Sequence, residues 1–405
     1  MTASNLPLYS LTNVVVGDVG TIQPLLLSRY TNRVFGRRVA DNTLMYSDDE
    51  MATWTATTFT NKFGLQAVVE TYDGEILVLH GQGQQLPTNY VYKSSGWSAN
   101  PATATFNLKL TVPSGVSSLW GFGLNGMGAD GTVVITTYGG QTNAGGLPSN
   151  DQTGHYSFIS RDHGGTFSAG IDLLSLPGNP SQNPQGAHWH GNAYSQLDNC
   201  VWFTYGDNNY PDVRAMPGTG NTQLMRLDLD TMTLTFLPIG ADYAGLTAGL
   251  LQQWTGVCVL DDGSVSLTPD AAPQAFTVVP RLGYRTYGPQ HGMLVSDPEG
   301  TWQIGGPIVR AKKGNPYLTA SELDGTRAMQ ANIDGGLRVA IYAAVDGLAW
   351  QRIYLDTAMP LKLNQFIQIT PIGVLASGKF VCRTSNTNSG AWANGGLITG
   401  TLTLA

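Results

Sequence analysis

Short turn signals of the Asp-Gly kind recur along this chain, each set between two apolar runs. They are Thr31-Asn32, Asp73-Gly74, Asp130-Gly131, Asp198-Asn199, Asp262-Gly263, Asp334-Gly335 and Ser377-Gly378, and their second residues lie 42 to 72 positions apart. The flanks are runs such as Ile76-Leu77-Val78-Leu79 and Thr132-Val133-Val134-Ile135. Such a pair between apolar runs predicts a two-residue β-hairpin turn, because glycine takes a positive φ at no steric cost. Self-similarity at this period is how propeller blades are encoded, at roughly 40–50 residues per blade in familiar repeats. Seven turns predict an all-β protein of seven four-stranded antiparallel blades, several with long insertions.

A second turn recurs with the first. Ser160-Arg161-Asp162-His163-Gly164-Gly165-Thr166-Phe167 fits the pattern Ser-x-Asp-x-Gly-x-Thr-aromatic at every defined position. Ser160 and Asp162 can hydrogen-bond nearby backbone groups, Gly164 can take a positive φ, and Phe167 restarts a strand with a large face to bury. Ser47 to Trp54 is a decayed copy that keeps Ser47, Asp49, Thr53 and Trp54 and replaces the glycine with Met51. Ser296 to Trp302 is one residue shorter and still ends Gly300-Thr301-Trp302. Weaker echoes end at Trp97 and Trp350, and Asp228 to Thr233 holds a plain Asp-Thr turn in the equivalent place. The aromatics Trp54, Trp97, Phe167, Trp302 and Trp350 are expected to plug the gaps between neighbouring sheets.

These turns resemble the Asp-box, or bacterial neuraminidase repeat, of sialidase-like β-propellers, which in the family proper have six blades. The resemblance implies one propeller over 1–405, with blades near 21–60, 63–110, 118–175, 187–238, 250–308, 326–356 and 365–404. The run Asn13-Val14-Val15-Val16 would supply the outer strand of the last blade, within 9–17. Joining the two ends in one blade removes exposed sheet edges.

Composition narrows the class further. Only 12% of the 405 residues are charged, against roughly 25% in average proteins. The net charge of −7 offers no footprint for nucleic acid. There is no apolar run of about 18 residues to insert in a membrane, and Met1 to Pro7 lacks the basic and apolar parts of a secretory signal. Cys200, Cys258 and Cys382 each lie in an apolar run, and an odd count points to buried free thiols.

In a four-stranded blade the one–two and three–four turns share one face, and the two–three loops and crossovers share the other. The Asp-Gly and box turns therefore mark a tight-turn face, and nearly every long loop falls opposite. Ligand-binding residues concentrate on loops held by a rigid scaffold. The candidates there are His80, Tyr138, Tyr205, Asp207, Tyr210 and Arg214, with Tyr284, Arg285 and Tyr287 further on. His188-Trp189-His190 opens the predicted inner strand of the fourth blade. Strand alternation would put both histidines on one face, and Trp189 would offer an aromatic face to a sugar. Two histidines begin a metal site, but no third ligand adjoins them, so no metal or other cofactor is expected.

The resemblance also implies a catalytic set: three arginines gripping a carboxylate, a Tyr–Glu nucleophile pair and an Asp acid/base. No arginine occurs in Thr21 to Leu26, where the family's first one belongs. Arg37-Arg38-Val39-Ala40-Asp41 does resemble the acid/base loop, so Arg38 and Asp41 are the residues of an alternative, glycan-cleaving reading. Of the five glutamates, Glu50, Glu70, Glu75 and Glu299 fall in or beside tight turns, which leaves Glu322. The expectation is a non-catalytic bacteriophage tail protein, made in the host cytoplasm and carried on the virion. Its partners would be a host surface glycan and other tail proteins. A purely structural tail role is the further alternative.

Overall fold

A computed structural model describes residues 9–59, 65–80, 89–112, 125–137, 156–177, 188–206, 222–238, 254–261, 263–269, 277–279, 302–305, 308–310, 315–324, 338–345, 350–356, 369–384 and 394–404. Strand β1 (Tyr9–Asp18) is followed by a first sheet of β2 (Ile22–Leu27), β3 (Val34–Arg38), β4 (Leu44–Ser47) and β5 (Thr55–Ala56). The second sheet is β6 (Leu65–Glu70), β7 (Ile76–His80), β8 (Tyr90–Ser95) and β9 (Thr105–Thr111). The third is β10 (Val133–Thr136), β11 (Tyr156–Ser160) and β12 (Ile171–Asp172), with Met127 bridged to Val133 on its inner side. The fourth is β13 (His188–Ser195), β14 (Cys200–Gly206), β15 (Thr222–Asp228) and β16 (Thr233–Pro238). The fifth is β17 (Trp254–Val259), β18 (Val265–Pro269) and β19 (Thr277–Val279). The sixth is β20 (Trp302–Gly305), β21 (Tyr317–Asp324), β22 (Arg338–Ala344) and β23 (Gln351–Asp356). The seventh is β24 (Ile369–Val374), β25 (Lys379–Thr384) and β26 (Gly396–Leu404), with β1 along its outer edge.

Every strand pairing is antiparallel and follows chain order, save that β1 pairs with β26 from Tyr9↔Leu404 to Asp18↔Gly396. Among the described residues the one helix is a single turn, Leu173–Ser175, and no helix is long and apolar enough to cross a membrane.

Among the described residues seven apolar clusters hold the sheets together, and each draws on two sheets. Leu26 and Phe35 of the first meet Ile76 and Val78 of the second. Leu77 and Leu79 of the second meet Ile135 and Phe158 of the third. Further clusters join third to fourth, fourth to fifth, fifth to sixth and sixth to seventh. In the last, Leu27 and Val34 of the first sheet pack against Ile372 and Val381 of the seventh. Both faces of the sheets are thus buried, which explains why inner strands such as Ile76-Leu77-Val78-Leu79 read as continuous apolar runs rather than alternating ones. Burying each such side chain contributes roughly 1.5–3 kcal/mol. Trp54, Trp97, Phe167 and Trp350 lie in four of these clusters, as plugs between sheets. Trp302 is the first residue of β20, and its side chain is outside the described residues.

The tight turns differ from expectation in one respect. In three of them the Asp-Gly-type pair forms the last two residues of a three-residue loop, as in Thr71 N–H to the Glu75 carbonyl at 2.8 Å, and the bond from Leu260 N–H to the Ser264 carbonyl at 2.8 Å closes a loop that ends in Gly263. The same loop joins Gly128 to Thr132 and Leu375 to Lys379. Its last residue is a glycine with φ of 79°, 86°, 91° and 84° in turn. A two-residue hairpin of type I′ needs positive φ at both positions; this loop needs it at one, so only the glycine is demanded. Asp334-Gly335 lies outside the described residues.

The box at Ser160 is held by a closed set of hydrogen bonds. Ser160 Oγ donates to Asp162 Oδ1 at 2.7 Å and accepts the Gly164 N–H at 2.8 Å. Asp162 also accepts the Thr166 N–H at 2.8 Å and Oγ1 at 2.9 Å. The decayed copy repeats this set: Ser47 Oγ to Asp49 at 2.8 Å, Met51 N–H to Ser47 Oγ at 2.9 Å, and Thr53 N–H and Oγ1 to Asp49. In both, two successive residues are left-handed: His163 and Gly164 at φ 57° and 81°, Glu50 and Met51 at 58° and 72°. Losing the glycine therefore did not change the turn; Met51 adopts the glycine's conformation at a conformational cost.

Candidate functional site

On the face opposite the tight turns, innermost strands begin and second strands end. Among the described residues five of the sheets' first strands carry a β-bulge where each runs against its second strand: Pro24/Leu26, Leu65/Ala67, Trp189/Gly191, Trp254/Gly256 and Pro371/Gly373. A bulge adds a residue on one strand and sharpens local twist, which re-aims side chains at the rim.

The first, second and seventh sheets bring polar groups together at this end. Arg38, on β3, forks onto Asp41, Nε to Oδ1 at 2.9 Å and Nη2 to Oδ2 at 2.7 Å, and also reaches Thr43 Oγ1 at 3.0 Å. The Thr43 N–H adds a bond to Asp41 Oδ1 at 3.1 Å. The Arg38 hydrogen bonds, with those from Thr43, hold the Asp41 carboxyl well below the usual carboxylate range. A general acid needs a pKa near the working pH. Asp41 is instead an ionised clamp that shapes the turn between β3 and β4.

Arg37 is the neighbouring residue with different surroundings. It pairs across the sheet with Gln23 and Leu44, and its Nη2 donates to Gln23 Oε1 at 2.6 Å. Nη1 reaches the Leu65 carbonyl of the second sheet at 3.3 Å, and Nε is sealed from solvent with no hydrogen bond. Burial lowers its pKa. Arg383, on β25, lies on the strand face that Val381 turns toward the first sheet. Its Nε is also sealed and unbonded. Burial, then the nearby charge of Arg37, lowers its pKa to about 10. Among the described residues neither arginine forms an ion pair.

His80 ends β7 and pairs with Leu65. It is 3% exposed, its ring lies 6.0 Å from Tyr90 and 6.4 Å from Tyr92, and neither ring nitrogen is hydrogen-bonded. Burial lowers its pKa, so it is neutral at pH 7. Strand alternation puts His80 on the face of Ile76 and Val78, toward the first sheet, and Arg37 on the face of Phe35, toward the second.

The remaining candidates fare unequally. Trp189 is 1% exposed and packs against Phe203, ring centroids 5.1 Å apart and tilted by 60°, inside the cluster between the third and fourth sheets. Its ring faces are spent on core packing, which corrects the expectation of a sugar-stacking surface. His188 and His190 lie on β13, either side of Trp189, and their side chains are outside the described residues. Tyr205 lies on β14 opposite Trp189. Tyr138, Asp207, Tyr210, Arg214, Tyr284, Arg285 and Tyr287 lie outside the described residues. Among the described residues no three His, Cys, Asp or Glu side chains gather as a metal site.

Glu50, Glu70 and Glu75 are engaged at the tight-turn face. Glu70 accepts Ser28 Oγ at 2.8 Å and the Arg29 N–H at 2.6 Å; burial raises its pKa, against those bonds. Glu75 receives the Gly96 and Trp97 N–H groups at 3.0 and 3.1 Å. Glu50 accepts Ser377 Oγ at 2.6 Å and its N–H at 3.1 Å, while Asn32 accepts the Ala376 N–H at 2.8 Å, so both join first sheet to seventh.

Three residues escaped sequence reasoning. Arg37 and Arg383 had a faint signal, a charge at the end of an apolar run such as Phe380-Val381-Cys382. Asn125 had none. Its Nδ2 donates to the carbonyls of Val257 and Ile308, both at 2.9 Å, and its own carbonyl accepts the Tyr194 N–H at 2.7 Å. One residue thus ties the third sheet's edge to the fifth and sixth through its side-chain amide and to the fourth through its main-chain carbonyl.

No family model matches the sequence, and no curated protein matches it. Solved structures do resemble the fold. The Swd1 β-propeller domain of Myceliophteria thermophila aligns with a TM-score of 0.52 at 10% identity, over 98% of this chain and 100% of that one. YCF48 from Cyanidioschyzon merolae aligns at 0.50 and 10% identity, over 97% and 98%. A catalytically inactive virginiamycin B lyase from Staphylococcus aureus aligns at 0.48 and 11%, over 98% and 100%. The chain is an all-β protein with the fold of the β-propellers. At these identities the likeness extends to the fold alone.

Proposed function

We propose that the seven sheets are blades of one propeller, closed by β1 against β26, and that it is a non-catalytic recognition protein of a phage tail. Its long-loop face binds a host surface glycan, other tail proteins are its further partners, and nucleic acid and membrane are not. The box turns are those of the sialidase-like propellers, kept as scaffold. The observation that carries the non-catalytic part is the fate of the acids. Asp41 is clamped by Arg38, and Glu50, Glu70 and Glu75 are bound into turns on the other face. That leaves none of these four as a free acid or nucleophile beside the loop-face arginines.

The test uses purified protein on glycan arrays and on host cells, with a parallel assay for reducing sugar released from surface polysaccharide. Binding without release is expected. Release that survives an Asp41→Asn substitution would point to acids elsewhere, and release abolished by it would establish the hydrolase reading; either result ends the non-catalytic proposal.

A further inference from the structure

We propose that Tyr30 and Tyr72 form a stacking platform for a neutral sugar ring on the tight-turn face. This platform lies opposite the long loops, so a sugar bound here owes nothing to them. Tyr30 is 49% and Tyr72 41% exposed, and they are the two exposed aromatics among the described side chains. Neither ring belongs to any of the seven apolar clusters. The fold does not require them. Tyr72 is the first residue of the second sheet's three-residue loop, and the same place holds Ala129 in the third sheet, Asp261 in the fifth and Ala376 in the seventh. A tyrosine there adds exposed apolar surface and no turn chemistry, which glycine and aspartate supply.

Both turns are fixed from beneath. Glu70, buried at the end of β6, accepts Ser28 Oγ at 2.8 Å and the Arg29 N–H at 2.6 Å, so it ties the turn of Tyr30 to the strand that leads into the turn of Tyr72. Ser28 Oγ accepts the N–H groups of Tyr30 and Thr31 at 3.1 and 3.0 Å. The Arg29 guanidinium lies 4.4 Å from the centre of the Tyr72 ring, which packs one turn on the other. Size and charge then select the partner. Two tyrosines at this exposure offer about 200 Å² of surface, whereas one side of a standard protein interface takes about 800 Å², more than half of it apolar. Ala129, Asp261 and Ala376, at the corresponding place in other sheets, add no large apolar group. A pyranose matches the smaller area: one of its faces carries C–H bonds, which meet the negative face of an aromatic ring. Lys93 is bonded to Asp73 at 2.6 Å and Glu70 lies against Arg29, so acids and cations balance and the platform favours a sugar without charge.

The experiment is saturation-transfer NMR and titration of the whole protein with methyl β-glucoside, methyl β-galactoside and glucuronate. Saturable binding of a neutral glycoside is expected, with transfer concentrated on the C–H protons of one ring face. Tyr30→Ala and Tyr72→Ala should each weaken binding about tenfold. Both should keep the wild-type melting temperature, because Tyr72→Ala reproduces the residue of the third sheet's loop and Tyr30 projects into solvent. Tyr72→Phe keeps the ring and should retain binding. No saturable binding of either neutral glycoside, binding of glucuronate alone, or equal binding by wild type and the double alanine variant would overturn the platform. In the last case the sugar lies elsewhere, and the long-loop reading survives. Array binding that the double variant abolishes would uphold the platform and refute the long-loop face as the recognition face. Self-association of the wild type that the double variant loses would make the patch a protein interface and overturn the sugar platform.

Discussion

Replacing Gly164 with alanine separates the two demands that the box turn makes on its glycine. The first is conformational: φ is 81°, and an L-residue there costs roughly 1–2 kcal/mol. The second is spatial. A Cβ on Gly164 would stand 2.7 Å and 2.8 Å from the two methyl carbons of Leu77, a fully buried side chain of the second sheet. Leu77 would have to move inside the cluster shared by the second and third sheets, and overpacking of that kind costs about 1–3 kcal/mol. The expected loss is therefore about 2–5 kcal/mol. Gly96 provides the control, since it has the same φ of 81° and open space around the added carbon. Gly96→Ala is expected to cost only the conformational part, about 1–2 kcal/mol. Urea unfolding of the three proteins, followed by tryptophan fluorescence, measures both differences. Equal losses in the two variants would show that Gly164 is required by its φ alone, and that the box does not set the spacing between these sheets.

Four further outcomes follow from the same structure. Removing residues 1–18 strips β1 from the seventh sheet and exposes the edge of β26, so the melting temperature is expected to fall sharply; an unchanged melt would refute the closing role of that strand. Asn125→Ala leaves two carbonyls without their donor and should cost about 1–3 kcal/mol in urea unfolding, with Asn125→Asp worse because it sets an oxygen against them. The Asp49 carboxyl is held down to about 2 by the bonds from Thr53 and Ser47. At Asp162, burial raises the pKa, but the bonds from Thr166 and Ser160 outweigh it and bring the value to about 2. Both groups are depressed in the folded state, so their contribution is full above the ordinary value of 3.8 and is lost as pH falls toward 2; stability measured from pH 5 to 2 should decline less steeply in Asp49→Asn and Asp162→Asn. Burial pushes the thiols of Cys200, Cys258 and Cys382 up to about 11, 12 and 12, so a thiol reagent at pH 8 should label them only after unfolding.

Much of the fold could be read from local chemistry, because turns and strands are written locally. A glycine forced to positive φ, a serine and an aspartate able to bond a turn's own N–H groups, and apolar runs between them act over a few residues. That is why the box at Ser160, its decayed copy at Ser47 and the turn at Gly74 could be named from the residues alone. Even there the loop came out one residue longer than expected, since a single left-handed position satisfies both a two- and a three-residue reading of Asp-Gly. Free cysteines were legible for the same reason, as a matter of count and apolar context.

The site was much less legible. Whether Trp189 shows its face to solvent or to Phe203 depends on a neighbouring strand, and its residue type suits both. The bulge at His190 is a mismatch between two strands and exists in neither alone. Arg37 and Arg383 are 346 positions apart, and only the packing of the sheets seals an Nε of each from solvent, with no ion pair to either among the described residues. Sequence by itself determined that this chain makes repeated antiparallel sheets with a tight-turn face, because those features are paid out in bonds a few residues long. Tertiary structure alone decided which side chains are buried and which acids are already bound, because burial and Coulomb energy depend on distance through space.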